Sequence, residues 1–276
     1  MPKASRITPG ELSRLRTELQ PLIGMQFKQL SLPKVAMKAF EPSQIGTIVG
    51  TLMDALIPHL PDIPTVGLTK HEGTIGEREG YPDYKHTSGF RLELKLLYID
   101  NAALEMKKPP TPREPSARLT QKVTVKNVDP AMDAMLLIAY QLQTQEAEPG
   151  AVSPTIIDLE TFSMIELIEA RDKRLTDAGG RWFGNYETPG VLSKVGKAKM
   201  RRAEPLDTTQ YGRKESEGKD FNEDTNFGKL KRIPHAGLRA FLAKYRVTVG
   251  DQEQSNNLHK ALEELGPLDD PEKPTS

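Results

Sequence analysis

The 276-residue chain has no cysteine. That excludes a disulfide scaffold, a thiolate zinc site and a cysteine nucleophile together, and it suits a reducing compartment. No apolar run approaches the ~18 residues of a membrane span. The first twenty residues, MPKASRITPGELSRLRTELQ, lack the apolar stretch of a signal peptide. The five histidines (59, 71, 86, 235, 259) form no His-x₃-His pair, so no histidine zinc site is expected. Neither a P-loop nor a G-x-S-x-G pattern occurs, and no fixed-period repeat is evident. Net charge is absent too: 38 Lys and Arg balance 38 Asp and Glu.

What is present is a soluble balance, 37% apolar and 28% charged residues, in a chain long enough to bury a core. We expect one domain over residues 1–250 and a mobile acidic tail at 251–276. The charge is unevenly spread. Between Gly190 and Arg246 there are 14 Lys and Arg against 7 Asp and Glu; from Val247 onward there are 2 against 7. A basic segment in a neutral chain suggests a polyanion partner. A solvated loop balanced by an acidic tail accounts for the same numbers.

Periodicity predicts helices over 8–22, opened by Thr8 and Pro9, and over Pro42–Leu60, with Ser43 as a cap. Residues 62–80 read as a glycine-bearing loop with a short strand. Residues 105–117 hold four prolines and cannot be regular. A strand is expected over 119–126 and another over VSPTIIDLE. Met132–Gln143 reads equally as a buried helix or a long strand. A helix is predicted over Ser163–Thr176, ended by Gly179-Gly180. Residues 184–228 read as a long, irregular basic segment. A strand at Leu230–Ile233 and a helix at Leu238–Val249 follow. Strands and helices in no strict alternation predict α/β or α+β, with a mixed sheet flanked by helices.

The informative stretch is GYPDYKHTSGFRLELKLLYID, residues 80–100. A three-residue loop Thr87-Ser88-Gly89 puts glycine where such hairpins need a left-handed residue. It pairs His86 with Phe90 and Lys85 with Arg91, and sets Asp83 opposite Glu93. A two-residue Thr87-Ser88 loop would slip the pairing by one. On the second strand Leu92, Leu94, Leu96 and Tyr98 point one way, and Arg91, Glu93, Lys95, Leu97 and Ile99 the other. Charges on a half-buried face are costly unless paired or bound to an ion. Two carboxylates ~5 Å apart across a strand pair can share a hard cation such as Mg²⁺. Lys95, two residues past Glu93, lies on the same face.

Pro82-Asp83 followed by Glu93-Leu94-Lys95 on an apolar strand resembles the PD-(D/E)xK nuclease superfamily. The resemblance implies Asp83 and Glu93 as Mg²⁺ ligands, the Leu94 carbonyl as a further ligand, and Lys95 as the catalytic lysine assisting the attacking water. It covers about twenty residues directly. Pro61-Asp62 and Glu217-Gly218-Lys219 repeat parts of the pattern, but on no plausible strand. A free-standing chain of this size is similar to type II restriction endonucleases, and Asp83-Tyr84-Lys85 before the acid-x-Lys strand resembles the group typified by SfiI and BglI. That resemblance implies a restriction-endonuclease-like fold, double-stranded DNA as substrate, a homodimer or a tetramer, and a prokaryotic cytoplasmic protein. Glu41, Asp54 and Glu72 are open candidates for a further acid.

If DNA is the partner, the candidate contacts are Lys85 and Arg91 at the hairpin and Arg118, Gln121 and Lys122 beyond the proline-rich loop. Lys194, Lys197, Lys199, Arg201, Arg202, Lys229, Lys231 and Arg232 add the basic segment. Each alone also reads as a solvated charge. His86, which also flanks the hairpin turn, reads either as a phosphate contact near the cut or as a turn residue with no role. Trp182-Phe183, with Tyr186, is either a base-stacking platform or a local core cluster. The readings carried forward are a Mg²⁺-dependent restriction endonuclease, a DNA-binding protein without catalysis, and a structure-specific nuclease such as a junction resolvase.

Overall fold

A computed structural model of the chain describes residues 5–60, 66–71, 81–107, 117–119, 123, 125, 128–177, 181–183, 188–190 and 228–245. The first helix, α1 (Pro9–Leu19), is fixed locally: Thr8 and Glu11 form a reciprocal capping box and Pro9 fills the first turn. Leu15 and Leu19 are its fully buried face. Pro21 then tightens the chain into a 3₁₀ turn, Gln20–Leu22, instead of continuing the helix. The short strand β1 (Leu32–Pro33) follows.

Helix α2 (Pro42–Leu56) begins two residues earlier than Ser43 would allow as cap. Pro42 at the first helical position holds Glu41 extended, and Glu41, not Ser43, is the cap, its N–H donating to Gln44 Oε1 at 3.0 Å. Ile45, Val49 and Met53 are its buried stripe. Gly46 lets it lie close on the sheet: a Cβ there would stand 2.9 Å from the Tyr98 Cβ. Pro58 ends the helix as a 3₁₀ turn, Ile57–His59.

The strands that follow are β2 (Leu68–Lys70), β3 (Tyr84–His86), β4 (Arg91–Tyr98), β5 (Asp133–Thr144) and β6 (Ala151–Ser163). With β1 they form one six-stranded mixed sheet in the order β1-β6-β5-β4-β3-β2. Only β4 and β5 run parallel; the other pairs are antiparallel. The chain from Ile99 to Met132 is the crossover that a parallel pair requires. The sheet carries helices on both faces. Against one pack α1 and α2; against the other pack α3 (Met164–Asp177) and α4 (Ala236–Ala243). The class is mixed α/β.

The ambiguous Met132–Gln143 run is thus a central strand. Ala134, Leu136, Ile138, Tyr140 and Leu142 enter one hydrophobic cluster; Met135, Leu137 and Ala139 enter the other. Burial on both faces erases the period of two that would have marked it as a strand. The VSPTIIDLE strand is longer than predicted because it pairs β5 along most of its length. Leu230–Ile233 is not a strand. Leu230–Arg232 is a 3₁₀ turn, closed by the Ile233 N–H on the Leu230 carbonyl at 3.1 Å. The last helix starts earlier than expected because His235 caps it, accepting from the Leu238 N–H at 3.2 Å.

Thr188–Gly190, inside the segment read as irregular, is a strand (β8) paired with Arg181–Phe183 (β7). The rest of 184–227, most of the 119–126 strand and the 251–276 tail lie outside the described residues, as do the side chains of Trp182 and Phe183. No helix among the described residues is long and apolar enough to cross a membrane.

Candidate active site

The β3–β4 hairpin has the three-residue loop. The His86 N–H donates to the Phe90 carbonyl at 2.9 Å and Lys85 stands opposite Arg91. Gly89 takes φ +95°, and a Cβ there would meet Met132 Cε at 3.1 Å. Two residues beyond Tyr84 the ladder cannot continue, because Pro82 has no N–H to offer β4. The backbone of Leu94 therefore lacks a strand partner on that side, and the site is built in this gap.

Asp83 Oδ2 accepts the Leu94 N–H at 2.7 Å. The Leu94 carbonyl accepts from Lys95 Nζ at 3.0 Å, and the same ammonium donates to Glu93 Oε1 at 2.6 Å. Of the four sequence-predicted groups, Glu93, the Leu94 carbonyl and Lys95 are thus joined directly, and Asp83 is tied to the same residue of β4 through the Leu94 N–H. Leu97 and Ile99, on the same side of β4, continue as core. Glu93 is 5% exposed, and its Oε2 is buried with no hydrogen-bond partner. Burial pushes the Asp83 carboxyl above its usual range, against the pull of the Lys95 ammonium. Burial does the same to Glu93; Lys95 opposes it and the charge of Asp83 adds to it. A carboxylate in such a place calls for a cation.

Of the two upstream acids among the described residues, Glu41 and Asp54, it is Asp54 on α2 that lies beside the pair. Its charge contributes to raising both Asp83 and Glu93. It is held by Lys70 Nζ at 2.9 Å and by the Tyr84 hydroxyl, also at 2.9 Å. Glu41 caps the opposite end of α2, and Glu72 lies outside the described residues. No group of three or more metal-ligating side chains is assembled among the described residues. The oxygen donors present, two carboxylates and a backbone carbonyl, are of the kind Mg²⁺ takes. The unpartnered Glu93 Oε2 is the atom a cation would satisfy.

The sequence reading missed Asp133 and Tyr81. Asp133 is completely buried and accepts from two of the Arg91 guanidinium nitrogens, Nε and Nη2; the Tyr81 hydroxyl donates to its Oδ2 at 2.7 Å. The available signal was a lone acid at the head of an apolar run, DAMLLIAY. Arg91, a candidate phosphate contact, is thereby committed to an internal ion pair. His86 is more than a turn residue: its ring is buried, with Nε2 2.9 Å from the Val66 carbonyl.

Of the candidate DNA contacts, Lys85 is exposed on β3. Arg118 and Lys229, far apart in sequence, form an antiparallel bridge, reinforced by the Leu119 N–H on the Gly228 carbonyl at 2.8 Å. Their neighbours Leu119 and Leu230 join the hydrophobic cluster on the Glu93 side of the sheet. Lys231 is half-buried beside them. Gln121, Lys122, Lys194, Lys197, Lys199, Arg201, Arg202 and the side chain of Arg232 lie outside the described residues. No protein-family model, curated protein or solved structure matches the chain.

Proposed function

We propose that this protein is a Mg²⁺-dependent endonuclease that cuts double-stranded DNA at specific sites, in the manner of a type II restriction enzyme, on a restriction-endonuclease-like core. The observation that carries the reading is that Asp83 is held on the Leu94 N–H while Lys95 bridges the Leu94 carbonyl and Glu93, whose second oxygen is buried and unpartnered. Asp83, Glu93 and the Leu94 carbonyl would hold the ion, with Asp54 near enough to add charge. When bound, Mg²⁺ supplies Lewis acidity and offsets the charge of a phosphodiester. Lys95 is the cation on hand to orient an attacking water and to stabilise negative charge developing on the phosphate. Arg118 and Lys229 bring positive charge to the same side of the sheet for backbone contacts. Cutting both strands of a symmetric site calls for two copies of the site, hence a homodimer or a tetramer, in a prokaryotic cytoplasm.

The test is digestion of a phage genome by the purified chain, with Mg²⁺ or with EDTA, beside Lys95→Ala. Discrete fragments only with Mg²⁺, lost in the variant, are the expected result. A smear, or preference for branched DNA, favours a structure-specific nuclease. A second reading, DNA binding without catalysis, draws on the closed Lys95–Glu93 pair and the Arg118–Lys229 bridge. It predicts intact DNA under every metal condition, with binding that weakens with salt and ignores EDTA.

A further inference from the structure

The segment Tyr81-Pro82-Asp83 carries one of the two carboxylates, yet it lies outside the strand ladder and needs another means of being placed. Asp83 itself offers two bonds: its carboxylate takes the Leu94 N–H, and its carbonyl takes the His71 N–H at 2.9 Å. Downstream, the Tyr84 hydroxyl is tied to Asp54 on α2. Upstream, the Tyr81 hydroxyl is tied to Asp133 at the head of β5.

Asp133 is built to receive it. The carboxylate is fully buried and accepts four donors: Arg91 Nε on Oδ1, and Arg91 Nη2 at 2.6 Å, the Tyr81 hydroxyl at 2.7 Å and the Asp129 N–H at 3.0 Å on Oδ2. The bidentate fork fixes the orientation of the carboxylate as well as its position. Arg91 lies two residues before Glu93 on the same face of β4, and Asp133 pairs with Arg91 across the parallel ladder. One buried carboxylate therefore references both arms of the site: the strand that carries Glu93 and the segment that carries Asp83. The fixed φ of Pro82 leaves few soft torsions between the Tyr81 anchor and Asp83. Tyr81 also stands near enough to Glu93 for that charge to raise its phenol.

We infer that Tyr81, Arg91 and Asp133 form a positioning network that holds Asp83 and Glu93 at the spacing a shared divalent cation needs. This rests on the reading of Asp83 and Glu93 as metal ligands. Partners behind the first ligands set ligand orientation, and losing one commonly lowers metal affinity by about 10–100-fold.

The test is Mn²⁺ binding to the full chain by isothermal titration, for the wild type, Tyr81→Phe, Asp133→Asn and Glu93→Gln. Tyr245→Phe is the control: it removes a like phenol–carboxylate bond, to Asp158 at 2.8 Å, that belongs to β6 and the chain after α4 and not to the hairpin. Tyr81→Phe keeps the ring and its packing, so it decides the matter if Asp133→Asn fails to fold. The expected result is a Kd about 10–100-fold weaker in Tyr81→Phe, unchanged in Tyr245→Phe. DNA cleavage by Tyr81→Phe would need more Mg²⁺ for half-maximal rate and regain most of its rate at saturation. Equal Mn²⁺ affinity in wild type and Tyr81→Phe overturns the network while leaving the metal site standing. No saturable binding by the wild type, with Glu93→Gln identical to it, removes the metal site and the positioning role with it.

Discussion

Lys95→Met separates a buried, coupled charge cluster from an incidental ion pair. The Lys95 side chain is 18% exposed and that of Glu93 6%, at 2.6 Å, so the pair is largely withdrawn from water. Removing one partner of a buried pair typically costs about 3–5 kcal/mol, because the other charge is left uncompensated. The cost is capped by protonation of Glu93, at about 1.4 kcal/mol per pH unit between the working pH and the carboxyl pKa. Burial already holds that pKa above its unfolded value. The folded chain therefore binds more protons than the unfolded one across that interval, and stability falls as pH rises through it. Without the ammonium the pKa rises further, and the loss extends to higher pH. The assay is urea unfolding at pH 8 and pH 5. Lys95→Met should cost about 3 kcal/mol at pH 8 and less at pH 5, because the raised Glu93 carboxyl takes up a proton more readily as pH falls and the unpaired charge is relieved. Glu93→Gln/Lys95→Met, which empties the site of both charges, should return to within about 1 kcal/mol of wild type at pH 8. A Lys95→Met cost below about 1 kcal/mol, equal at both pH values, would match a solvent-screened surface pair and refute the reasoning.

Asp100 is held in a buried site that pushes its carboxyl up to about 6 from 3.8. Its charge then costs about 3 kcal/mol above that pH and nothing below its unfolded pKa, so Asp100→Asn should raise the urea midpoint at pH 8 and leave it unchanged near pH 3.5. Gly46→Ala places a methyl against Tyr98 and should destabilise by about 1–3 kcal/mol in thermal melts; an unchanged melt would mean that α2 can lift off the sheet freely. Arg118→Ala and Lys229→Ala should each reduce the slope of log affinity for duplex DNA against log salt by about 0.9, measured in EDTA by fluorescence anisotropy. An unchanged slope would take these residues off the DNA.

The local features of this protein were legible in the sequence because their causes are local. Thr8, Pro9 and Glu11 dictate the start of α1, and Gly89 selects the loop that sets Lys85 against Arg91. That register, with Pro82 ending the ladder, brings Asp83 to the Leu94 N–H next to Glu93, and a period of two puts Lys95 on the Glu93 face. Tertiary structure decided whatever depended on a partner distant in the chain. Met132–Gln143 has no telling period because both of its faces are buried, so only the sheet made it a strand. Glu41, Asp54 and Glu72 were equivalent as letters; the packing of α2 over β4 brought Asp54 to the site. Arg91 looked like a free cation until β5 set Asp133 beside it, and Arg118 and Lys229 became one patch only through a backbone bridge. A short-range bond is specified by the few residues that make it. A contact across a hundred residues is specified by the burial of the whole core, which no single stretch of sequence states.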